Sequence, residues 1–206
     1  MKFSTFTSQN RRIMEAELIE EKTIPKGAFN GLTMTKEDFL TWRPDDEPFV
    51  YEFNDGIIES KPGMKQNETK IIRNIEDKFY ETTAFRQKSR LFTEVDCWVT
   101  ERQMRRPDMA LYSNEQIERM DEGGREMPTF VIEIISEYDE FGQMNTKLRE
   151  YFAAGVQVIW WVVPGFDMVH VFTSPKAITI ATDTDPLSAV PALTDFNATV
   201  EDIFGR

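Results

Sequence analysis

The segment Val156-Gln-Val-Ile-Trp-Trp-Val-Val163 carries a single polar side chain over the length of a strand. Near-continuous apolar sequence suits a strand buried on both faces, the situation of parallel sheets covered by helices above and below. Gly155, immediately before it, is a stop signal for a helix predicted over residues 142–154. Ahead of that helix, Pro128 opens an apolar strand predicted from Thr129 to Ser136. A strand, a helix and a strand joined by short loops make a right-handed crossover, so the strands around Glu133 and Val158 are expected to be parallel neighbours. With 206 residues, 40% of them apolar and 12% aromatic, the chain can close one sizeable core around such a unit. The predicted class is therefore α/β, a mixed sheet flanked by helices.

The rest of the chain is punctuated just as clearly. Thr35 caps a short helix through Leu40, with Glu37 and Asp38 in its first turn. Phe49–Phe53 and Ile57–Ser60 flank Asn54-Asp55-Gly56, a turn of the Asp-Gly kind, and predict a hairpin that ends at Lys61-Pro62-Gly63. Ile71, Ile75 and Phe79 recur at four-residue spacing with Ile72 beside them, which predicts a helix from about Asn67 to Glu81. Alternation from Leu91 through Val99 predicts one strand, and Pro107–Tyr112 a second. The acidic, glycine-containing stretch Ser113–Met127 reads as an exposed turn of helix and a loop. Pro164-Gly165 turns the apolar run back into Met168–Phe172, and the sequence closes on Thr199–Phe204. Residues 1–30 read as a polar N-terminal arm in which Ile13–Leu18 has the pattern of a short helix, leaving 31–206 as a single domain.

Cys97 stands alone, which excludes an internal disulfide framework and a cysteine-based zinc site. The start Met-Lys-Phe-Ser-Thr-Phe-Thr-Ser lacks the apolar run of a signal peptide, and no window has the composition of a membrane span. A protein of the reducing cytoplasm, without membrane partners, is expected. With 36 acidic against 24 basic residues, the net charge of −12 argues against a protein that lives by non-specific attraction to a phosphate backbone. It is compatible with a site built of carboxylates, where a bound cation inverts the local field. Any contact with nucleic acid is then expected to be weak, metal-dependent and salt-sensitive, or else to need a partner that supplies the affinity.

Three polar residues stand against the apolar framework: Asp108 in Arg-Arg-Pro-Asp-Met-Ala-Leu, Glu133 in Phe-Val-Ile-Glu-Ile-Ile-Ser, and Lys147 in Thr-Lys-Leu-Arg-Glu-Tyr-Phe. A carboxylate between Ile132 and Ile134 is costly to bury unless something compensates it, and a divalent cation does so. Two acids and one lysine are the equipment of metal-assisted phosphodiester hydrolysis.

Arg-Pro-Asp-Met-Ala-Leu, Pro-Thr-Phe-Val-Ile-Glu-Ile-Ile-Ser, Lys147-Leu-Arg-Glu-Tyr151 and Gly155-Val-Gln-Val-Ile-Trp-Trp-Val-Val-Pro-Gly, in that order, resemble the Uma-two family of bacterial restriction-endonuclease-like proteins. Tyr51-Glu-Phe-Asn-Asp-Gly-Ile and the closing Leu193 to Phe204 are similar to the family's ends, so the resemblance covers nearly all of the chain from Met34 onward. It implies the PD-(D/E)XK fold group, with a mixed sheet flanked by helices, and a metal-dependent endonuclease that hydrolyses DNA phosphodiester bonds.

By the same resemblance, Asp108 and Glu133 lie on paired strands and share Mg²⁺ or Mn²⁺, with the backbone carbonyl of Ile134 a further ligand and Glu68 of the first long helix an additional acid. The lysine of the fold group usually stands two residues after the second acid. Here that position is Ile135, and Lys147 replaces it from the following helix, as happens in the family. Gln143, Lys147 and Tyr151 fall at four-residue steps on one helix face, which makes Gln143 and Tyr151 supporting residues. Glu137, Gln143 and Glu68 depart from the family's usual proline, acid and histidine. The acids are expected on adjacent antiparallel strands at the edge of the sheet. The Lys147 ammonium is expected within hydrogen-bonding distance of Glu133 or of the attacking water.

Each residue also has a plainer structural explanation. Asp108 alone suits a turn or cap, and Glu68 suits the positive end of a helix dipole equally well. Glu133 needs a buried ion pair, for which Lys147 is the obvious partner, although such pairs stabilise poorly against apolar replacements. Arg102, Arg105 and Arg106 form either a basic patch beside Asp108 or a solvated edge. Glu94 and Asp96 read as solvated, Glu52 and Glu59 as flanking the hairpin, and His170 as a surface or packing residue. Trp160 and Trp161 read as core and dimer packing, and two-fold pairing also suits the cutting of two strands, so a homodimer is expected. Three function classes follow: an active endodeoxyribonuclease, a cleavage-inactive nucleic-acid-binding module, and a homodimeric interaction protein whose acids and lysine form a structural network.

Overall fold

The computed structural model describes residues 26–66 and 68–206, so the short helix expected within Ile13–Leu18 lies outside the described residues. Chain order begins with helix α1 (Lys36–Thr41), whose N-cap Thr35 accepts from the Asp38 N–H as its sequence predicts. Strands β1 (Phe49–Asn54) and β2 (Ile57–Pro62) then pair antiparallel about Asp55 and Gly56. Both turn residues have positive φ, 52° and 89°, the geometry that a two-residue hairpin turn demands and that Asp-Gly tolerates. Helices α2 (Thr69–Tyr80) and α3 (Thr83–Arg86) follow. Along α2 the four-residue spacing buries Ile71, Ile72, Ile75 and Phe79 on one face, each contributing about 1.5–3 kcal/mol of transfer free energy.

A six-stranded sheet forms the centre. It is built from β3 (Arg90–Thr93), β6 (Met109–Tyr112), β7 (Phe130–Ile134), β8 (Val158–Val163), β9 (Met168–Ser174) and β10 (Ala177–Thr182), in the spatial order β10-β9-β8-β7-β6-β3. Strands β7 and β8 are parallel, with Glu133 opposite Trp161, and helix α5 (Phe141–Ala153) makes the crossover between them. The strand–helix–strand expectation holds, and the apolar run of β8 has the predicted cause. Val158, Trp160 and Val162 join α2 in one core, while Ile159 and Trp161 pack with Met144, Leu148 and Tyr151 of α5 on the opposite face. Trp160 is fully buried, and its indole N–H donates to the Ser188 carbonyl at 3.0 Å.

The sequence from Leu91 to Val99 departs from expectation. In place of one strand, β3 is followed by β4 (Cys97–Thr100), and Glu94 between them has φ 50°. The first half pairs with β6 in the large sheet, and the second pairs with β5 (Gln103–Arg105) in a smaller sheet of order β2-β1-β5-β4. A straight strand cannot belong to both sheets, so the backbone breaks in the left-handed region at Glu94. Both halves alternate with the same period, which hides the break from a periodicity argument. Ser113–Met127 also holds more order than predicted: Ser113 and Gln116 form a capping box that starts helix α4 (Asn114–Asp121). The chain closes with β11 (Pro186–Ala189), β12 (Leu193–Thr199) and α6 (Val200–Phe204), whose Ile203 and Phe204 seal the α2 side of the core.

The small sheet has its own core of Phe39, Tyr51, Phe53, Ile58 and Met104, with Phe29 and Trp42 against it. Polar residues of β1, β2 and β5 reach α5 and the N-terminal end of β6, and the junction between the two sheets is where the candidate site lies. No helix among the described residues is long and apolar enough to cross a membrane.

Candidate active site

Pairing of β6 with β7 sets Met109 opposite Ile132, and one further step along the same register brings Asp108 opposite Glu133. Met109, Ile132 and Ile134 enter the α2 core, so strand alternation directs Asp108 and Glu133 to the other face, toward α5. The two acids therefore share one sheet face and line one pocket with Glu68, Ile134, Lys61 and Lys147. Antiparallel pairing is as expected, but the place is not the sheet edge. β6 and β7 are interior strands, because β3 extends the sheet beyond β6, and the pocket opens at their ends.

Both oxygens of Asp108 are engaged. Oδ2 accepts the backbone N–H of Ile134 at 2.7 Å, which ties the first acid to the strand of the second. Oδ1 accepts from Lys61 Nζ at 2.9 Å, and the same ammonium donates to the Arg106 carbonyl at 2.7 Å. The Lys61 and Asp108 side chains are 19% and 18% exposed. Burial opposes the Lys61 charge, yet Asp108, Glu133 and Glu52 hold its pKa above the ordinary range. Lys61 was not among the candidates from sequence, since a lysine before Pro62 at a strand end carries no signal of its own.

Glu133 is buried, and its Oε1 accepts the Tyr151 hydroxyl at 2.9 Å. Burial pushes its carboxyl up to about 7, with Asp108 adding to the rise and Lys61 and Lys147 opposing it. Lys147 is not its ion-pair partner, contrary to expectation: Lys147 Nζ donates instead to Glu52 Oε1 at 2.9 Å. The surroundings of the two acids shift them in opposite directions. Burial would also raise Glu52, but Lys147, Lys61 and Arg105 override it and hold the carboxyl at about 2. Lys147 reaches from α5 to Glu52 of β1, and it is the foremost of the charges that lower that carboxyl.

Glu52 and Arg105 extend this cluster. Glu52 is a buried hub, where its position in the hairpin had suggested a flanking residue. Arg105 donates to Glu52 at 3.0 Å, to Glu59 at 2.5 Å and to Glu150 of α5 at 2.8 Å, and it is 3% exposed. Arg106 pairs with Asp96, and the exposed Arg102 pairs with Asp55. The three arginines therefore make no free basic patch, and only Arg102 is the solvated edge residue that sequence suggested. A signal for Glu52 was available: it stands between Tyr51 and Phe53 as Glu133 stands between Ile132 and Ile134, a carboxylate inside an apolar strand.

The remaining predicted residues are placed as follows. Glu68 lines the pocket, and its Oε2 accepts the Lys65 N–H at 2.8 Å just before α2. Burial raises its pKa. Tyr151 is buried and bonded to Glu133 as a support. Gln143, one turn before Lys147, is exposed and donates to Glu140 at 3.1 Å, so the helix face brings two of its three residues to the acids. His170 sits half-buried in β9 beside Met168 and Trp161, away from the pocket. Among the described residues, no three His, Cys, Asp or Glu side chains cluster as a ready ligand set.

A mixed sheet flanked by helices, with an acid pair at the ends of adjacent strands and lysines beside it, is the arrangement of the restriction-endonuclease-like fold class. The chain belongs to the Uma2 family, described as "Putative restriction endonuclease", which it matches over residues 36–201. Among solved structures it is similar to "a putative nuclease belonging to DUF820" from Anabaena variabilis ATCC 29413. That likeness has a TM-score of 0.70 at 22% identity and covers 84% of this chain and 98% of the other. It is a likeness of fold. No curated protein matches the chain.

Proposed function

We propose that the chain is a divalent-metal-dependent endodeoxyribonuclease, with Asp108 and Glu133 as the acids that hold the ion and Lys147 as the charged group beside the scissile phosphate. The observation that carries this reading is the register that sets Asp108 and Glu133 on one face of adjacent strands, in one pocket with two lysines. The donor set fits a magnesium-like ion, which is commonly bound by one or two carboxylates with water completing the shell. Asp108, Glu133 and the Ile134 carbonyl would hold it. Glu133 is the acid most in need of a cation, since burial and the neighbouring Asp108 raise its pKa and so disfavour its charge. A divalent ion supplies positive charge against the phosphate and acidifies water.

The chain's own residues do the rest. Ile134 N–H fixes the Asp108 carboxylate, and the Tyr151 hydroxyl fixes that of Glu133, so neither acid must be ordered when substrate arrives. Lys147, 15% exposed, projects from α5 beside the pocket and is available to charge developing on the phosphoryl oxygens. Glu68 borders the same pocket as a further acid. Cutting both strands of a duplex calls for a homodimer. Trp160 and Trp161 are used within one chain, whereas edge strand β10 presents Ile178 and Ile180, 49% and 56% exposed.

A second reading is a cleavage-inactive nucleic-acid-binding module, and one observation favours it: Lys147 is bound by Glu52 while Ile135 occupies the fold group's usual lysine position. Purified protein incubated with single-stranded DNA, duplex DNA and RNA, in Mn²⁺ and in EDTA, separates the two. Cleavage by the wild type in Mn²⁺, absent in EDTA and in Asp108→Ala, is the expected result. Binding without cleavage in every condition overturns the nuclease reading in favour of the second.

A further inference from the structure

Lys61 takes no part in the roles assigned above, yet its ammonium touches Asp108 of the acid pair, while that of Lys147 is bound to Glu52. It arrives from the small sheet, at the end of β2, where the chain is held by the Gly63 N–H donating to the Pro48 carbonyl at 2.6 Å. Its ammonium is anchored at two points, Asp108 Oδ1 and the Arg106 carbonyl, with Glu133 and Glu52 near enough to add to its attraction. The other oxygen of Asp108 is committed to the Ile134 N–H. A cation approaching Asp108 therefore meets one oxygen held by the backbone of β7 and one held by a positive charge.

We propose that Lys61 is the resident cation of this site, an internal ammonium on Asp108 Oδ1 that must be displaced before a divalent ion can bind there. Without the metal, Lys61 and Lys147 offset the charges of Asp108 and Glu52, and this balance lets several carboxylates share a largely buried cluster. Divalent binding then exchanges one positive charge for another and breaks a charge-assisted hydrogen bond, which weakens metal affinity relative to an open site. Lys147 does not hold this position, because its partner is Glu52 and not Asp108. The inference rests on the metal-site reading above.

Calorimetric titration of Mn²⁺ into the full chain tests it without reference to activity. Lys61→Met removes the ammonium at similar volume, and Lys61→Gln keeps a donor for the Arg106 carbonyl and serves if the first variant does not fold by circular dichroism. Lys147→Met controls for the loss of a nearby charge. Tighter Mn²⁺ binding in the Lys61 variants, on the order of 10–100-fold and clearly beyond any change in Lys147→Met, is the expected result. Measurable wild-type binding that is unchanged or weakened in the Lys61 variants, or tightened equally by Lys147→Met, overturns the displacement while leaving the metal site standing. No binding in the wild type or in any variant overturns the metal-site reading, and this inference with it.

Discussion

Replacing Glu52 by glutamine removes one charge from the most heavily committed carboxylate in the protein. Its side chain is 2% exposed and accepts from Lys147, Arg105 and the Arg106 N–H. Burial alone would raise its pKa, yet Lys147, Lys61 and Arg105 hold it at about 2 against an ordinary 4.5. With each pKa unit equivalent to about 1.4 kcal/mol, the ionised carboxylate contributes about 3 kcal/mol to folding at neutral pH. A carboxyl whose folded pKa lies below the unfolded one contributes its full stability above the unfolded value and loses it as pH falls through the folded value. The stability gap between wild type and Glu52→Gln should thus be about 3 kcal/mol at pH 7 and shrink to about half of that near pH 3. Mutational experience with broken buried pairs gives a similar ~3–5 kcal/mol, because the partner charges stay buried with one fewer counter-charge. Urea unfolding followed by tryptophan fluorescence at pH 7, 5 and 3 measures the gap directly. A gap below about 1 kcal/mol at pH 7, or one equally wide at pH 3, would refute the argument that Glu52 is the fixed anion to which the lysines are held.

Glu133 should show the opposite pH dependence, since a folded pKa raised to about 7 means stability that is complete below 4.5 and lost as pH rises through 7. In EDTA, Glu133→Gln should gain about 2–3 kcal/mol on the wild type between pH 5 and pH 8, and parallel stability curves would dismiss the assignment. Lys147→Ala should lower cleavage by a factor on the order of 10²–10⁴ while Mn²⁺ affinity stays near normal, whereas undiminished cleavage makes Lys147 a structural residue. Cys97 is fully buried, and burial pushes its thiol up to about 12, so a disulfide reagent should label it in urea but not in the native protein. Rapid native labelling would place that thiol at the surface.

Local sequence determined several of the elements. The Thr35 cap, the Asp55-Gly56 turn, the isoleucine spacing of α2 and the apolar run of β8 each have causes that operate within a few residues, and each appears as its pattern requires. The parallel neighbours β7 and β8 followed from the handedness of a short crossover. A carboxylate inside an apolar strand marked Glu133 from sequence alone, while its pairing with Asp108 was what the family resemblance implied, and the register of β6 on β7 puts both on one face.

Tertiary structure decided the charges. Lys147 meets Glu52 because α5 packs against the small sheet, and its charge, with those of Lys61 and Arg105 from strands of that sheet, holds the Glu52 carboxyl low. Lys61 and Asp108 are 47 residues apart in sequence. The break at Glu94 likewise follows from β3 and β4 joining different sheets, a fact that no period of two contains. Backbone propensity and hydrophobic periodicity are short-range properties carried by neighbouring residues, while ionisation inside a protein is set by every charge and every loss of water within several ångströms. The sequence by itself therefore determined the β7–α5–β8 unit, the hairpin and the buried carboxylate Glu133, and only the packing of two sheets against α5 decided which cation sits on which carboxylate.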